Sequence, residues 1–482
     1  METFATPEVD KLTPLQELEL KRQNIIMDYN KLAMEEVLKL NATRPVRIVK
    51  LNLYGAGNHF RDSFLTRQLE PMLKNCDSLT TTDFLKRIDL TSLNFSKMGV
   101  ISNIAMNFDE SKFKNPFVSN NTLELIANVQ IIPVKKFFMK VGTNLGNGEG
   151  DGYVTLQWKN IFGGGESLNF DTNLTSNEIG KTNKSQYLFN YSMPLMNHPD
   201  FKYDCILYHS SRLLDYTTYH EQSINGITNK FSSNLGFINH ELSIENLIRS
   251  IKLVSPNNDT SYRNNSLIND YYLFGAGDNF KSSLSYSLSY DTRDNTILPR
   301  LGSSFKISSE LSMFPLNSSF IKTMLQITQN KTIGNNIFNF NFKTGLIHSL
   351  NNDLKIHPMD KFQLGGANDI RGFQINGLGP KQMGLTIGGD AFFGCGLSMF
   401  NKLPFLNNDS NFKFHSFINS GKLVNKNNLN NLFNNFNISS GVGLVYASPM
   451  ARFELNFVVP IAVHHGDDLR KGIQYGIGLS FM

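Results

Sequence analysis

Three passages hold side chains able to do more than pack. The first is Gly365-Gly366-Ala367-Asn368-Asp369-Ile370-Arg371-Gly372-Phe373, in a long segment after an alternating run at Asn336–Ser349. Loops of that length in a compact domain are unusual and often functional. An arginine followed by glycine and phenylalanine can fold back into an interior, the glycine allowing close approach and the aromatic packing the tip. A surface loop with a solvated arginine fits the same letters. The second passage is Tyr290-Asp291-Thr292-Arg293-Asp294-Asn295, followed by Pro299 and Gly302, a charged turn that a solvated hairpin also explains. The third runs from Ser440-Gly441-Val442-Gly443-Leu444 through Ala447-Ser448-Pro449-Met450. His464-His465 with Asp467 and Asp468 offers metal-ligating groups, but a turn before a final strand suits them better. Cys76, Cys205 and Cys395 show no CxxC spacing and fit neither a disulfide framework nor a zinc site. No nucleophile–base pair, phosphate loop or cofactor motif stands out. The chemistry on offer is ion pairing and hydrogen bonding, and the reading is of a non-enzyme with no cofactor and no metal.

The elements that must carry these passages are strands. The last, Lys471–Met482, puts Ile473, Tyr475, Ile477, Leu479 and Phe481 on one face and Gln474, Gly476, Gly478 and Ser480 on the other. From about residue 135 the chain consists of runs of 9–12 residues at period two, split by Asn/Gly/Asp turns. Phe137–Gly146 alternates Phe137, Met139, Val141 and Leu145 with Lys140, Gly142 and Asn144. Leu284, Tyr286, Leu288 and Tyr290 alternate with serines. Phe338, Phe340 and Phe342 alternate with Asn339, Asn341 and Lys343, and Phe453, Leu455 and Phe457 with Arg452, Glu454 and Asn456. Ten such residues at roughly 3.3 Å each, tilted about 45°, cover roughly 23 Å, close to the apolar band of about 25 Å of an outer-membrane barrel. About sixteen strands are expected. Residues 200–280 are the least regular: Ile244, Leu247, Ile248 and Ile251 have helical spacing and fit a loop helix or a bent strand. Period two alone does not say whether the apolar face looks inward or outward. The mixed Lys, Glu, Arg, Asn and Gly of the polar faces and the recurring aromatics favour lipid outside and a wet lumen inside.

Ahead of the strands, residues 1–44 read as an arm and a helix opened by Thr13-Pro14-Leu15-Gln16. Leu15, Leu18, Ile25, Tyr29, Leu32 and Leu40 form a stripe expected to pack on the next domain, with contact to a partner helix as the alternative. Residues 45–134 read β-α-α-β-β: Val46–Leu53, Asp62–Lys74, a helix from Thr82 with Thr82 as its cap, Ile101–Asp109 and Leu123–Ile132. Both helices then lie on one face of a small sheet. Hydrophobic residues at 40% and charged residues at 18% argue against wholesale disorder. No apolar run reaches 18 residues, so no membrane helix is expected. The net charge of +5 comes without a Lys/Arg block or nucleic-acid motif. The start lacks an apolar signal core and carries Glu2, Glu8, Asp10, Glu17 and Glu19, unlike a signal or transit peptide.

The order of elements in 45–134 resembles a POTRA domain. The pattern of Gln474, Gly476, Leu479 and Phe481 resembles the terminal sorting signal of mitochondrial outer-membrane barrels. With the Tyr290–Asn295 turn, the Ile370-Arg371-Gly372-Phe373 loop and the Ser448-Pro449-Met450 hairpin, in that order, residues 45–482 resemble the BamA/TpsB superfamily of outer-membrane barrel assembly and secretion proteins. One POTRA-like unit and the mitochondrial ending match its sorting and assembly machinery (SAM) branch.

The expected fold is therefore mainly β: a transmembrane β-barrel over 135–482 behind an α+β POTRA-like domain at 45–134. The resemblance implies that Arg371 enters the lumen, with Asp390 and Asn419 as candidate partners. Many relatives have aspartate where Asn419 stands, so a neutral hydrogen bond replaces a salt bridge there. It also implies a lateral seam between Val141, Gly142, Thr143, Asn144 and Leu145 of the first barrel strand and Gln474, Gly476, Gly478, Leu479 and Phe481 of the last. Implied partners are β-barrel precursors, metaxin-like peripheral SAM subunits, a second barrel protein of the complex and membrane lipid. The implied location is the mitochondrial outer membrane, with the POTRA-like domain in the intermembrane space. A passive pore and a polypeptide-translocating barrel are the rival functions.

Overall fold

The computed structural model describes residues 14–74, 79–111, 121–146, 149–177, 184–214, 220–253, 275–315, 318–351, 356–382, 385–403, 410–448, 451–464 and 466–478. The chain divides into two compact units, Met1–Lys135 with Phe162–Gly165, and Lys136–Ile161 with Glu166–Met482.

The first unit contains helix α1 (Pro14–Leu40), strand β1 (Pro45–Tyr54), α2 (Asp62–Leu73), β2 (Leu79–Thr80), α3 (Thr81–Met98), β3 (Ile101–Glu110) and β4 (Leu123–Pro133). Its sheet runs β2-β1-β4-β3, with β1 and β4 parallel. Phe64, Leu65, Leu69 and Met72 of α2 and Phe84 and Phe95 of α3 are buried in one core with Val46, Ala127, Val129 and Ile131 of the sheet. Three details differ from expectation, the first being β2, a two-residue strand between the helices that pairs with β1. The cap of α3 is Thr80, whose hydroxyl accepts from the Asp83 N–H at 3.3 Å, while Thr82 lies inside the helix and donates to Ala42 O. In the α1 stripe, Ile25, Tyr29, Leu32 and Leu40 are exposed rather than packed. Thr13 lies outside the described residues.

The second unit is one antiparallel meander. Its strands are β5 (Phe137–Gly146), β6 (Glu149–Lys159), β7 (Ser167–Asn177), β8 (Lys184–Pro194), β9 (Phe201–Leu214), β10 (His220–Leu235), β11 (Ile238–Leu253) and β12 (Gly277–Asp291). There follow β13 (Gly302–Phe314), β14 (Phe320–Ile333), β15 (Asn336–Ser349), the short pair β16 (Lys381–Gln382) and β17 (Leu385–Thr386), then β18 (Ala391–Lys402), β19 (Phe412–Val424), β20 (Asn437–Ala447), β21 (Arg452–Ala462) and β22 (Gly472–Gly478). Sixteen of these form one sheet, in chain order, with β5 and β22 at its two ends. The stretch with helical spacing is strand β11. Its apolar residues sit on both faces, Leu247 and Ile251 buried and Ile244 and Ile248 exposed, which imitates a helical period.

The burial pattern settles which face looks out. Along β21, Phe453, Leu455, Phe457, Val459 and Ile461 are exposed, while Arg452, Glu454 and Asn456 are buried. On β22, Ile473 is 70% exposed and its neighbour Gln474 only 2%. A water-soluble sheet would show the reverse. Apolar bands outside and polar groups within are the arrangement of a membrane-spanning barrel. Among the described residues no helix is long and apolar enough to cross a membrane.

Candidate functional site: a loop docked in the barrel lumen

The segment between β15 and β18 folds back against the inward faces of β18–β22. Its tip is a tight turn. Asp369 Oδ2 accepts from Gly365 N at 2.8 Å, and Asp369 N donates to Gly366 O at 3.1 Å. That turn presents Ile370, Arg371 and Phe373, all fully buried. Gly372 has a φ of 90°, which a side chain would resist.

Arg371 meets Glu454 of β21 through Nε at 3.1 Å and Nη2 at 2.7 Å, both on Oε2. Its Nη1 donates to Asn419 Oδ1 of β19 at 3.4 Å, and its guanidinium lies 4.6 Å from the Phe417 ring centre. Arg452 bonds the other oxygen of the same carboxylate and lies over Phe400 at 4.7 Å. His415 is stacked between Phe400 and Phe417, with ring centres 4.7 and 4.9 Å away. Two arginines, three rings and one carboxylate thus close a circuit around Glu454.

Strand register explains how these side chains reach each other. Phe400, His415, Gly443, Asn456 and Gln474 form one inward row across β18–β22. The gap at Gly443 lets His415 Nδ1 reach Asn456 Oδ1 at 3.0 Å, two strands away; a Cβ at Gly443 would strike Asn456. A Cβ at Gly441 would strike the Phe417 ring. The Ser440–Leu444 passage is thus a trough under the loop tip. Gly421 opens a matching socket on β19, where a Cβ would collide with the end of Ile370.

The loop also grips the last strand. Gly372 N donates to Gln474 Oε1 at 3.1 Å, and Gln474 Nε2 donates to Arg470 O at 3.0 Å. Arg470 N returns to Gly372 O at 3.0 Å, and Asn368 Nδ2 reaches Ile477 O at 3.1 Å.

Of the two partners expected for Arg371, Asn419 is in place. Its amide also donates to Asp369 O at 3.0 Å, which an aspartate could not do. Asp390 is a correction. It pairs with Lys361 at 3.4 Å and accepts from Lys426 N at 3.0 Å, because it stands just before β18, whereas Asn419 lies opposite Gly396 further along that strand. The residue the sequence reading missed is Glu454. It was the only acidic residue in β18–β22, and that scarcity was the available signal.

The other candidates are placed as follows. On β5, Val141 is exposed, and a Cβ at Gly142 would run into the Tyr153 ring of β6, so that glycine seats a cross-strand aromatic. Thr143, Asn144 and Leu145 pair with Gly152, Asp151 and Gly150. Gly476 and Gly478 pair with Glu454 and Arg452. Leu479, Phe481, Pro449, Met450 and His465 lie outside the described residues. Among those described, no cluster of three or more His, Cys, Asp or Glu side chains could hold a metal. Asp467 and Asp468 face the loop instead, accepting from Gly379 N at 3.5 Å and pairing with Lys381 at 2.6 Å. In the charged turn, Arg293 forks onto Asp291 at 2.6 and 2.9 Å, a pairing local to the hairpin.

Residues 160–481 match the Omp85 superfamily domain. The chain belongs to the Omp85 superfamily. The chain is similar to the sorting assembly machinery 50 kDa subunit of Saccharomyces cerevisiae, 31% identical over 91% of this chain and 95% of that protein. The sorting and assembly machinery component 50 homolog of Homo sapiens is 27% identical over 74% of this chain and 76% of its own length. The fold is that of BamA from Haemophilus ducreyi lacking POTRA domains 1–3, with a TM-score of 0.70 at 15% identity, covering 90% of this chain and 84% of that one. Omp85 membership and the BamA-like fold agree with the barrel and the small α+β region read from the sequence.

Proposed function

We propose that this chain is an insertase of the mitochondrial outer membrane, which folds β-barrel precursors and releases them into the bilayer through a seam between β5 and β22. The observation that carries this reading is the sheet's linear order: β5 and β22 are its ends, and among the described residues no ladder joins them. A backbone group left unpaired in lipid costs several kcal/mol. Free edge groups on β5 are therefore a template for an incoming strand, bound by β-augmentation. The loop's hold on Gln474 ties the other side of the seam to the lumen. The names of the relatives, subunits of a sorting and assembly machinery, agree with this role.

In this reading the clients are β-barrel precursors. Metaxin-like peripheral subunits and a second barrel complete the complex, and the POTRA-like unit faces the intermembrane space. A passive pore is less well supported, because a buried loop occupies the inward face of β18–β22.

Disulfide trapping tests the seam. Cysteines at Val141, Thr143 and Leu145 should cross-link in register to a precursor's final strand, and register shifts should track the cysteine position. Cross-links confined to other strands would remove β5 from the mechanism. Depletion separates insertion from conduction: newly made porins should fail to assemble.

A further inference from the structure

The loop has a second fastening, far from Arg371. Its root forms a short turn, Pro358–Asp360, in which Asp360 is buried. Asp360 Oδ2 pairs with Arg249 Nη1 of β11 at 2.6 Å, and its Oδ1 with Lys281 Nζ of β12 at 2.8 Å. Lys322 Nζ of β14 donates to the Asp360 carbonyl at 2.8 Å and lies 4.7 Å from the Phe362 ring centre. Glu310 of β13 takes the other side of Lys281 at 2.5 Å. Three strands, β11, β12 and β14, thus hold one loop residue directly, and β13 braces Lys281 through Glu310; the nearest of the Arg371 strands, β19, is separated from β14 in sheet order by β15 and β18. Phe362, next in the loop, fills a socket at Gly345, where a Cβ would meet Phe362 and Phe392 at 2.6 and 2.5 Å.

The two fastenings are rigidly connected. Phe362 N and O bond Gly389 at 3.0 and 2.9 Å, and Leu378 N bonds Leu364 O at 3.1 Å. Phe362, Leu364, Ile370, Phe373 and Leu378 share one buried core. A body this well packed moves as a unit, so release at one end permits a pivot about the other. Without the Asp360 carboxylate, Arg249 and Lys281 would lose their shared anion, and among the described residues Glu310 is the carboxylate left on Lys281.

We infer that Asp360 is a second latch, a positioning residue that fixes the root of the loop to β11–β14 and thereby keeps Arg371 seated on Glu454. The inference concerns the loop's placement and goes beyond the seam, so it survives if the insertion site proves to be elsewhere.

Trypsin reads the latch directly. Arg371 is fully buried, so the bond between Arg371 and Gly372 is cut only when the loop leaves its seat. In the full chain reconstituted into liposomes, Asp360→Asn should speed cleavage at that bond about tenfold, as expected when a charge-assisted hydrogen-bonded anchor is lost. The barrel should keep its heat-modifiable gel mobility, and Asp360→Glu should restore protection. Wild-type protection in a folded Asp360→Asn barrel would overturn the inference. Should that variant fail to fold, Arg249→Gln, which leaves Lys281 on Asp360, gives the same reading: faster cleavage supports the latch and unchanged cleavage sinks it.

Discussion

Arg371 and Glu454, 83 residues apart in sequence, meet at 2.7 Å with no exposure of either side chain. Removing one member of such a pair leaves an uncompensated buried charge, at a cost of about 3–5 kcal/mol, against about 0–1 for an exposed pair. Here the carboxylate also serves Arg452, so the loss of Glu454 removes the anion that two buried cations share.

Arg371→Ala and Glu454→Gln should each destabilise the barrel by about 3–5 kcal/mol and slow porin assembly in isolated mitochondria. Because they act on one contact, the double variant should cost clearly less than the sum. Arg371→Lys should recover little, since it loses the fork onto Glu454 and the planar contact with Phe417. Urea titration of gel heat-modifiability gives the energies. Full additivity would mean that the pair is not coupled.

Gln474→Leu removes the acceptor of Gly372 N, leaving a buried donor unsatisfied at about 1–3 kcal/mol. Gln474→Glu keeps an acceptor and should be milder. The expected readout is faster trypsin cleavage at Arg371 in Gln474→Leu alone. Equal protection in both variants would show that the loop is not held through this strand.

Gly421→Ala places a methyl where the end of Ile370 lies and 2.8 Å from Phe393 O. Overpacking of this kind costs about 1–3 kcal/mol. Ile370→Val deletes the colliding methyl and should recover part of the loss in thermal unfolding, the backbone contact accounting for the rest. No recovery would place the clash elsewhere.

Acid should loosen the loop's root. Burial foremost, with the nearby Arg249, holds His357 down at about 4, below the ordinary 6.5. The unfolded chain then binds more protons between those values. The neutral histidine's contribution is complete above pH 6.5 and falls as the pH drops toward 4, by about 3 kcal/mol in all. Burial pushes the Asp360 carboxyl up, but Lys281 and Arg249 pull it down by more. Its contribution is present above the ordinary carboxylate range and fades below it. A trypsin-like protease active at pH 5 should therefore cut at Arg371 faster than at pH 7.5, and His357→Gln should flatten that dependence. A pH-independent rate in the parent chain would contradict it.

Much of the architecture was legible in the residues. Phe137–Gly146 is strand β5 to the residue, because alternation bounded by turn residues leaves the backbone few choices. The helices α2 and α3 and the strands β1, β3 and β4 follow from apolar spacing and from the turns between them, while β2, two residues long, is too short to carry an alternation. The cap of α3 was displaced by two residues, since three consecutive threonines offer the same hydroxyl and only the backbone's turn selects Thr80. The stretch at Ile244–Ile251 left a loop helix and a bent strand open, because a strand with apolar residues on both faces imitates a helical period; the strand is what forms.

The sequence by itself determined that ribbons of two unlike faces run from Phe137 onward, where they turn, and that an arginine-bearing loop interrupts them. These are local properties, set by side-chain alternation and turn chemistry within a few residues. Only the tertiary structure decided that the apolar faces point outward, that Glu454 rather than Asp390 receives Arg371, and that Gly421 on β19 is a socket for the loop while Gly441 and Gly443 on β20 make room for Phe417 and Asn456. Each of those depends on the register of strands that are distant in the chain, and register fixes which inward side chains share a row.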